Sequence, residues 1–311
     1  MSMPEEIFLN TEIIRVDINN IEKDKLELAA KVIRKGGLVA FPTETVYGLG
    51  ANALDEKAAQ GIYRAKGRPS DNPLIVHIAD KEAVSELVSD ITEAAKIAMD
   101  AFWPGPLTLI MKKSEKIPPI ITAGLDTVAV RMPVHPVARE LIKAANLPIA
   151  APSANTSGKP SPTTAKHVIE DMFGKIEVII DGGSADVGLE STILDVTVNP
   201  PMILRPGGIT KEQLEAVFGS VNEDPAVAKL RTGNFIPKAP GMKYTHYSPD
   251  ADVVIVEGRL DMVVDRIRGL ITEYRQKGMA VGVLATDQTK DMYDCDVVIS
   301  SGDRDKPETI A

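Results

Sequence analysis

The stretch IEKDKLELAAKVIRKGGLVAF, residues 21–41, reads in two halves. In the first, Leu26, Ala29, Ala30 and Ile33 recur at three- and four-residue spacing, which predicts a helix from Ile21 to Arg34 stopped by Gly36-Gly37. In the second, Leu38 to Phe41 is a short, wholly apolar run of the kind that forms a buried strand. A helix feeding a buried strand is the repeating unit of α/β architecture.

The same alternation extends outward. Strands are predicted at Leu74–Ile78, Leu107–Lys112, Thr127–Met132, Leu147–Ala151, Val178–Asp181 and Thr192–Val196. Helices fall near Ala58–Ala65, Lys81–Ala101, Pro136–Ala145 and Thr163–Phe173, the last opened by Ser161-Pro162 as cap and first-turn proline and closed by Gly174. A short helix, Lys211–Phe218, ends a first domain spanning residues 1–218. Residues 219–248 carry Pro225, Gly233, Pro237, Pro240 and Gly241 with little periodicity and read as a linker. Residues 249–311 then give strand Val253–Val256, helix Leu260–Arg275 and strands Met279–Leu284 and Val297–Ile299, the opening of a doubly wound unit.

Composition narrows the function. With 311 residues, 44% hydrophobic and 25% charged, the chain can bury a large core. Cys295 is its single cysteine, which removes intramolecular disulfides and cysteine metal knuckles and fits a reducing cytoplasm. No run approaches the ~18 apolar residues of a membrane span, and the first ten residues lack a signal-peptide pattern. A net charge of −9 and only 4% aromatic residues argue against stable nucleic-acid binding, so any positive site is local.

Several stretches carry chemistry. Arg64-Ala65-Lys66-Gly67-Arg68-Pro69 is the densest cationic cluster in an acidic chain. It can be a solvated helix end, but Gly67 and Pro69 shape the loop in a way that suits a polyphosphate, Arg68 supplying a planar fork and Lys66 a point charge. His77 interrupts an apolar strand and reads either as a satisfied core histidine or as a site residue. Alternation puts Thr127, Ala129 and Arg131 on one strand face, where Arg131 can clamp a carboxylate. The hydroxyl-rich segment 152–161 follows a strand and precedes a helix, where α/β folds place ligands and helix N-termini attract phosphate. Neither a Walker loop nor a G-x-G-x-x-G fingerprint is present.

Taken together, FPTETVYGLG (41–50), Lys66-x-Arg68, Asn72-Pro73-Leu74, WPGPLT (103–108), Arg131-x-Pro133 and PSANTSG (152–158) resemble the YrdC-like threonylcarbamoyl-AMP synthases. The resemblance runs from about Ile21 to Ile209, and APGMKYTHYSP (239–249) resembles the long, two-domain form. It implies a twisted, open α/β domain around a large, positively charged concave cavity, with a smaller Rossmann-like C-terminal domain. The long form continues with further helices and strands, so that second domain is expected to be incomplete here. It also implies that L-threonine, bicarbonate or carbon dioxide, and ATP give threonylcarbamoyl-adenylate and pyrophosphate, for N6-threonylcarbamoyladenosine in tRNA. A downstream tRNA threonylcarbamoyl transferase is the expected partner.

Carried over by position, the threonine pocket falls on Thr45, His77, Arg131, the backbone at Ala151, and Ser191. The ATP contacts fall on Lys66, Arg68, Asn72, Thr127, Ser153, Asn155, Ser161, Arg205 and the linker residue Tyr244. Lys66, Arg68, Ser153 and Asn155 are the set expected to carry the chemistry. Whether Thr43 or Thr45 meets threonine is open, with the resemblance favouring Thr45. No His, Cys or carboxylate cluster has metal-ligand spacing, so Mg²⁺ is expected to ride on the ATP phosphates. Two other readings compete. An RNA-binding module is disfavoured by the acidity, and a carbamoyltransferase of hydrogenase maturation by the lack of zinc-binding cysteines.

Overall fold

Helix α1 (Lys23–Arg34) buries Leu26, Ala29, Ala30 and Ile33 and gives way at Gly36, whose φ of 82° only glycine takes easily. The computed structural model describes residues 9–225, 251–306 and 309, and the chain divides into units Met1–Ser248 and Pro249–Ala311. In the first unit eleven strands form one mixed sheet: β1 (Glu12–Arg15), β2 (Val39–Phe41), β3 (Gly48–Asn52), β4 (Ile75–His77), β5 (Leu107–Lys112), β6 (Thr127–Arg131), β7 (Ile149–Ala150), β8 (Val178–Asp181), β9 (Thr192–Asp195), β10 (Met202–Arg205) and β11 (Asn222–Glu223). Their order across the sheet is β1-β8-β2-β3-β7-β4-β6-β5-β9-β10-β11.

Period-two alternation sorts the core into layers. Val39, Phe41, Val178, Ile180 and Ile149 face α1 and α5 (Pro136–Ala145). Ala40, Ile179, Val76, Val128 and Val130 face the opposite layer, built by α2 (Glu56–Lys66), α4 (Glu93–Phe102), α6 (Ala165–Met172) and Leu214 of α7 (Lys211–Phe218). Farther along the sheet the first face carries a separate small cluster, Ile75, Ile110, Ala129, Ile193 and Leu204. His77 and Arg131, paired across β4 and β6, lie on that same face beside it.

Several expectations need correction. The helix expected over Lys81–Ala101 is broken: a 3₁₀ turn, Lys81–Ala83, runs into α3 (Val84–Leu87), Val88 bridges to Lys113, and Thr92 caps a new helix by accepting from the Ala95 N–H. Thr164, not Ser161, caps α6, accepting from the His167 N–H, while the Pro162 carbonyl is taken by the Tyr47 N–H. Strands β1, β3, β10 and β11 were not anticipated, and β11 lies in the stretch read as linker.

In the second unit, helix Leu260–Gln276 packs on the parallel strands Gly282–Ala285 and Val297–Ser300. The strand expected at Val253–Val256 does not form. Among the described residues they have no ladder partner, and Ile255 is 80% exposed.

Candidate active site

Asp55 caps α2 by accepting from the Lys57 and Ala58 N–H groups, and Gly67 ends the helix in left-handed geometry, φ 60°. That reversal sends the flanking cations different ways. Lys66 is the last buried residue of the helix face, 2% exposed, and its ammonium donates to the carbonyls of Ser153 and Asn155. Burial, and after it the nearby Arg68 charge, pull its pKa well below the usual lysine range, while Asp171 acts the other way. Arg68 lines a hollow, its Nη2 3.3 Å from the Pro73 carbonyl.

That hollow encloses about 580 Å³, including its solvent-filled mouth, over the face of β4 and β6 that carries His77 and Arg131. Its lining includes Thr43, Thr45, Arg68, His77, Arg131, Ala151, Ser153, Glu190, Ser191 and Arg205. Arg68, on the loop after α2, and His77, on β4, thus share one cavity.

Arg131 is held at three points. Nη1 donates to Thr45 Oγ1 at 2.8 Å, Nε to the Gly105 carbonyl at 3.4 Å, and Nη2 lies 2.6 Å from Glu44 Oε1, though not aligned for a hydrogen bond. Thr45 and Thr43 lie side by side. Thr43 donates to the Val46 carbonyl, and its Oγ1 sits 2.9 Å from Thr45 Oγ1, so both hydroxyls line the hollow as one pair. His77 is wholly enclosed. Its Nδ1 donates to the Ile75 carbonyl at 3.1 Å, and burial, then Arg131, lower its pKa to about 3, so it works as a neutral imidazole.

On the far wall, Arg205 fixes Ser191 by donating to its carbonyl at 2.8 Å and to its Oγ at 3.2 Å, and Ser191 Oγ also meets Thr108 Oγ1 at 2.7 Å. The near wall is the loop after β7. Ser153 Oγ donates to Asn155 Oδ1, Asn155 Nδ2 to the carbonyls of Thr156 and Lys159, and Asp171 accepts from the Thr156 N–H and the Lys159 ammonium.

Not every expected residue reaches the hollow. Lys66 and Asn155 stand behind the loop as its braces, and Asn72 is buried with its carbonyl accepting from Tyr63. Thr127 sits at the other end of β6 from Arg131, opposite Lys112, and Ser161 is half-buried outside the lining. Tyr244 lies outside the described residues. Glu44 and Glu190 escaped the sequence reading. Nothing in the sequence marks Glu44 as buried, because its cation lies 87 positions on, and Glu190 signals itself only by preceding Ser191.

Comparisons with known proteins show the family. Residues 31–207 match the Sua5/YciO/YrdC family model, described as "Telomere recombination", and residues 209–311 match "Threonylcarbamoyl-AMP synthase, C-terminal domain". The threonylcarbamoyl-AMP synthase of Pyrococcus abyssi is 54% identical over 283 residues, 91% of this chain and 82% of the relative. That of Bacillus subtilis is 54% identical over 284 residues, 91% of this chain and 80% of its own. The crystal structure of P. abyssi Sua5 complexed with L-threonine superposes with a TM-score of 0.89 at 51% identity, covering 96% of this chain and 86% of that one. With residues 31–207 and 209–311 both matched by family models and relatives 54% identical over 91% of it, the chain belongs to the Sua5/YciO/YrdC family.

Proposed function

We propose that this chain converts L-threonine, carbon dioxide from bicarbonate, and ATP into threonylcarbamoyl-adenylate and pyrophosphate. One observation carries the reading: a single hollow gathers the guanidinium groups of Arg68, Arg131 and Arg205 around neutral His77 and the hydroxyls of Thr43, Thr45, Ser153 and Ser191. Three fixed forks suit a ligand set of one carboxylate and one polyphosphate. The names of the relatives and the threonine complex of one of them support the same substrates.

On this reading Arg131, with Thr45, takes the threonine carboxylate, while Ser191, the Ala151 backbone and His77 shape the rest of its subsite. Arg68, Ser153 and Arg205 meet the nucleotide, with Lys66 and Asn155 holding the loop that bears Ser153. Asn72, Thr127, Ser161 and Tyr244 complete the ATP contacts that the resemblance assigns. Carbamate oxygen attacks the α-phosphorus and pyrophosphate leaves, so the protein's work is alignment and stabilisation of negative charge in a water-poor hollow. Mg²⁺ would arrive on the phosphates. The donor set of the hollow, arginines and hydroxyls with one carboxylate, fits a metal already bound to ATP better than a protein-held ion.

The product would pass to a transferase acting on tRNA in the cytoplasm. A net charge of −9 favours brief rather than stable contact with the tRNA itself. A pyrophosphate-release assay tests the reading: release is expected only with ATP, threonine and bicarbonate together. Release that ignores threonine contradicts it.

A further inference from the structure

Threonine reaches such a site with a protonated α-nitrogen, yet that nitrogen must offer a lone pair to carbon dioxide. The arginines of the hollow have no acceptor to receive an ammonium. His77 gives Nδ1 to the Ile75 carbonyl and its ring is also engaged by the Ile149 backbone, and the Glu44 carboxylate lies against Arg131 outside the lining. Among the described residues that line the hollow, Glu190 is the one carboxylate. Its Oε1 is sealed from solvent and has no hydrogen-bond partner.

A buried acceptor left unmet is costly, so a donor arriving with the ligand would be strongly favoured there. The backbone that carries Glu190 is fixed. Its carbonyl accepts from the Gly208 N–H at 3.1 Å, Gly207 passes so close that a Cβ would stand 2.2 Å from that carbonyl oxygen, and the next residue is pinned by Arg205 and Thr108.

We propose that Glu190 receives the α-nitrogen of threonine and takes in turn the two protons which that nitrogen sheds as it becomes a carbamate. The inference rests on the threonine reading above. The ammonium first gives one proton to the Glu190 carboxylate, which releases it to water. The freed nitrogen lone pair then forms the N–C bond to carbon dioxide, one C=O π pair moves onto oxygen, and the second proton, left on the cationic nitrogen, leaves through the same carboxylate to water. No further reactant is needed.

The test compares wild type with Glu190→Gln and Glu190→Asp, using calorimetry with L-threonine and with its α-hydroxy analogue 2,3-dihydroxybutanoate. Pyrophosphate release is followed from pH 6.5 to 9. Wild type is expected to prefer threonine by at least about tenfold, the scale of one charged hydrogen bond. Glu190→Gln loses that preference and turns over more slowly, with a deficit that shrinks as rising pH frees the amine, and Glu190→Asp recovers part of both. A Glu190→Gln protein with undiminished preference and a wild-type pH profile overturns the inference. So does a variant whose defect is confined to a raised requirement for Mg²⁺ and ATP. Wild-type protein that binds no threonine sinks the functional reading itself, a result distinct from either.

Discussion

Arg131 and Glu44 are both about 4% exposed at the side chain and 2.6 Å apart, so each charge depends on the other. Removing one member of such a pair leaves an ion stranded in a low-dielectric interior, at a cost of about 3–5 kcal/mol. Arg131→Met is therefore expected to lose that much in urea denaturation, and the double variant Arg131→Met/Glu44→Gln to regain most of it. A single variant as stable as wild type, or no recovery in the double, contradicts the pairing. Calorimetry on the double variant should still show threonine binding weakened by about 1.5–3 kcal/mol, because the clamp is gone while the fold is kept. At this scale the sequence was half readable. Arg131 announced itself as a cation on an alternating strand, and His77 as a lone imidazole in an apolar run. Glu44 did not, since a glutamate in a turn-rich stretch is ordinarily solvated and its burial follows only from the cation that the sheet brings beside it.

The end of α2 governs what its two cations do. Gly67, at φ 60°, reverses the chain so that Lys66 points inward to the carbonyls of Ser153 and Asn155 while Arg68 meets the hollow. Open space surrounds the position where a Cβ would sit, so Gly67→Ala tests backbone strain alone, at about 1–2 kcal/mol. The expected result is a lower thermal midpoint and weaker nucleotide binding by calorimetry. A variant that keeps wild-type nucleotide affinity would show that the turn does not set Arg68. Elements with strong periodicity, such as α1 and β5, were legible from sequence. Strand β3 was not, because GLGAN lacks the β-branched signal, and Gly50 serves instead to let Phe41 and Ile149 close over it, 2.7 Å from where its Cβ would stand. The break between α3 and α4 was hidden for a similar reason. Val88 suits a helix pattern, and only its bridge to Lys113 pulls it out of one.

Among the described residues of the first unit, the sheet outruns the helices on one face, and the hollow lies there. Helices α1 and α5 cover the half around β2 and β8, and the half around β4 and β6 presents His77 and Arg131 instead. Helix and strand alternation made the α/β class legible, but not the antiparallel returns at β3, β7 and β10, which depend on partners distant in sequence. The central claim is that this one cavity brings an amino acid and a nucleotide together so that carbamate oxygen meets phosphorus. Its most direct test is incubation of the protein with L-threonine, ¹³C-bicarbonate, ATP and Mg²⁺, followed by mass spectrometry. Threonylcarbamoyl-adenylate carrying the label, and lost in Arg68→Ala, is the predicted product. ATP consumed with no labelled adenylate formed, or label retained in Arg68→Ala at the wild-type rate, would contradict it.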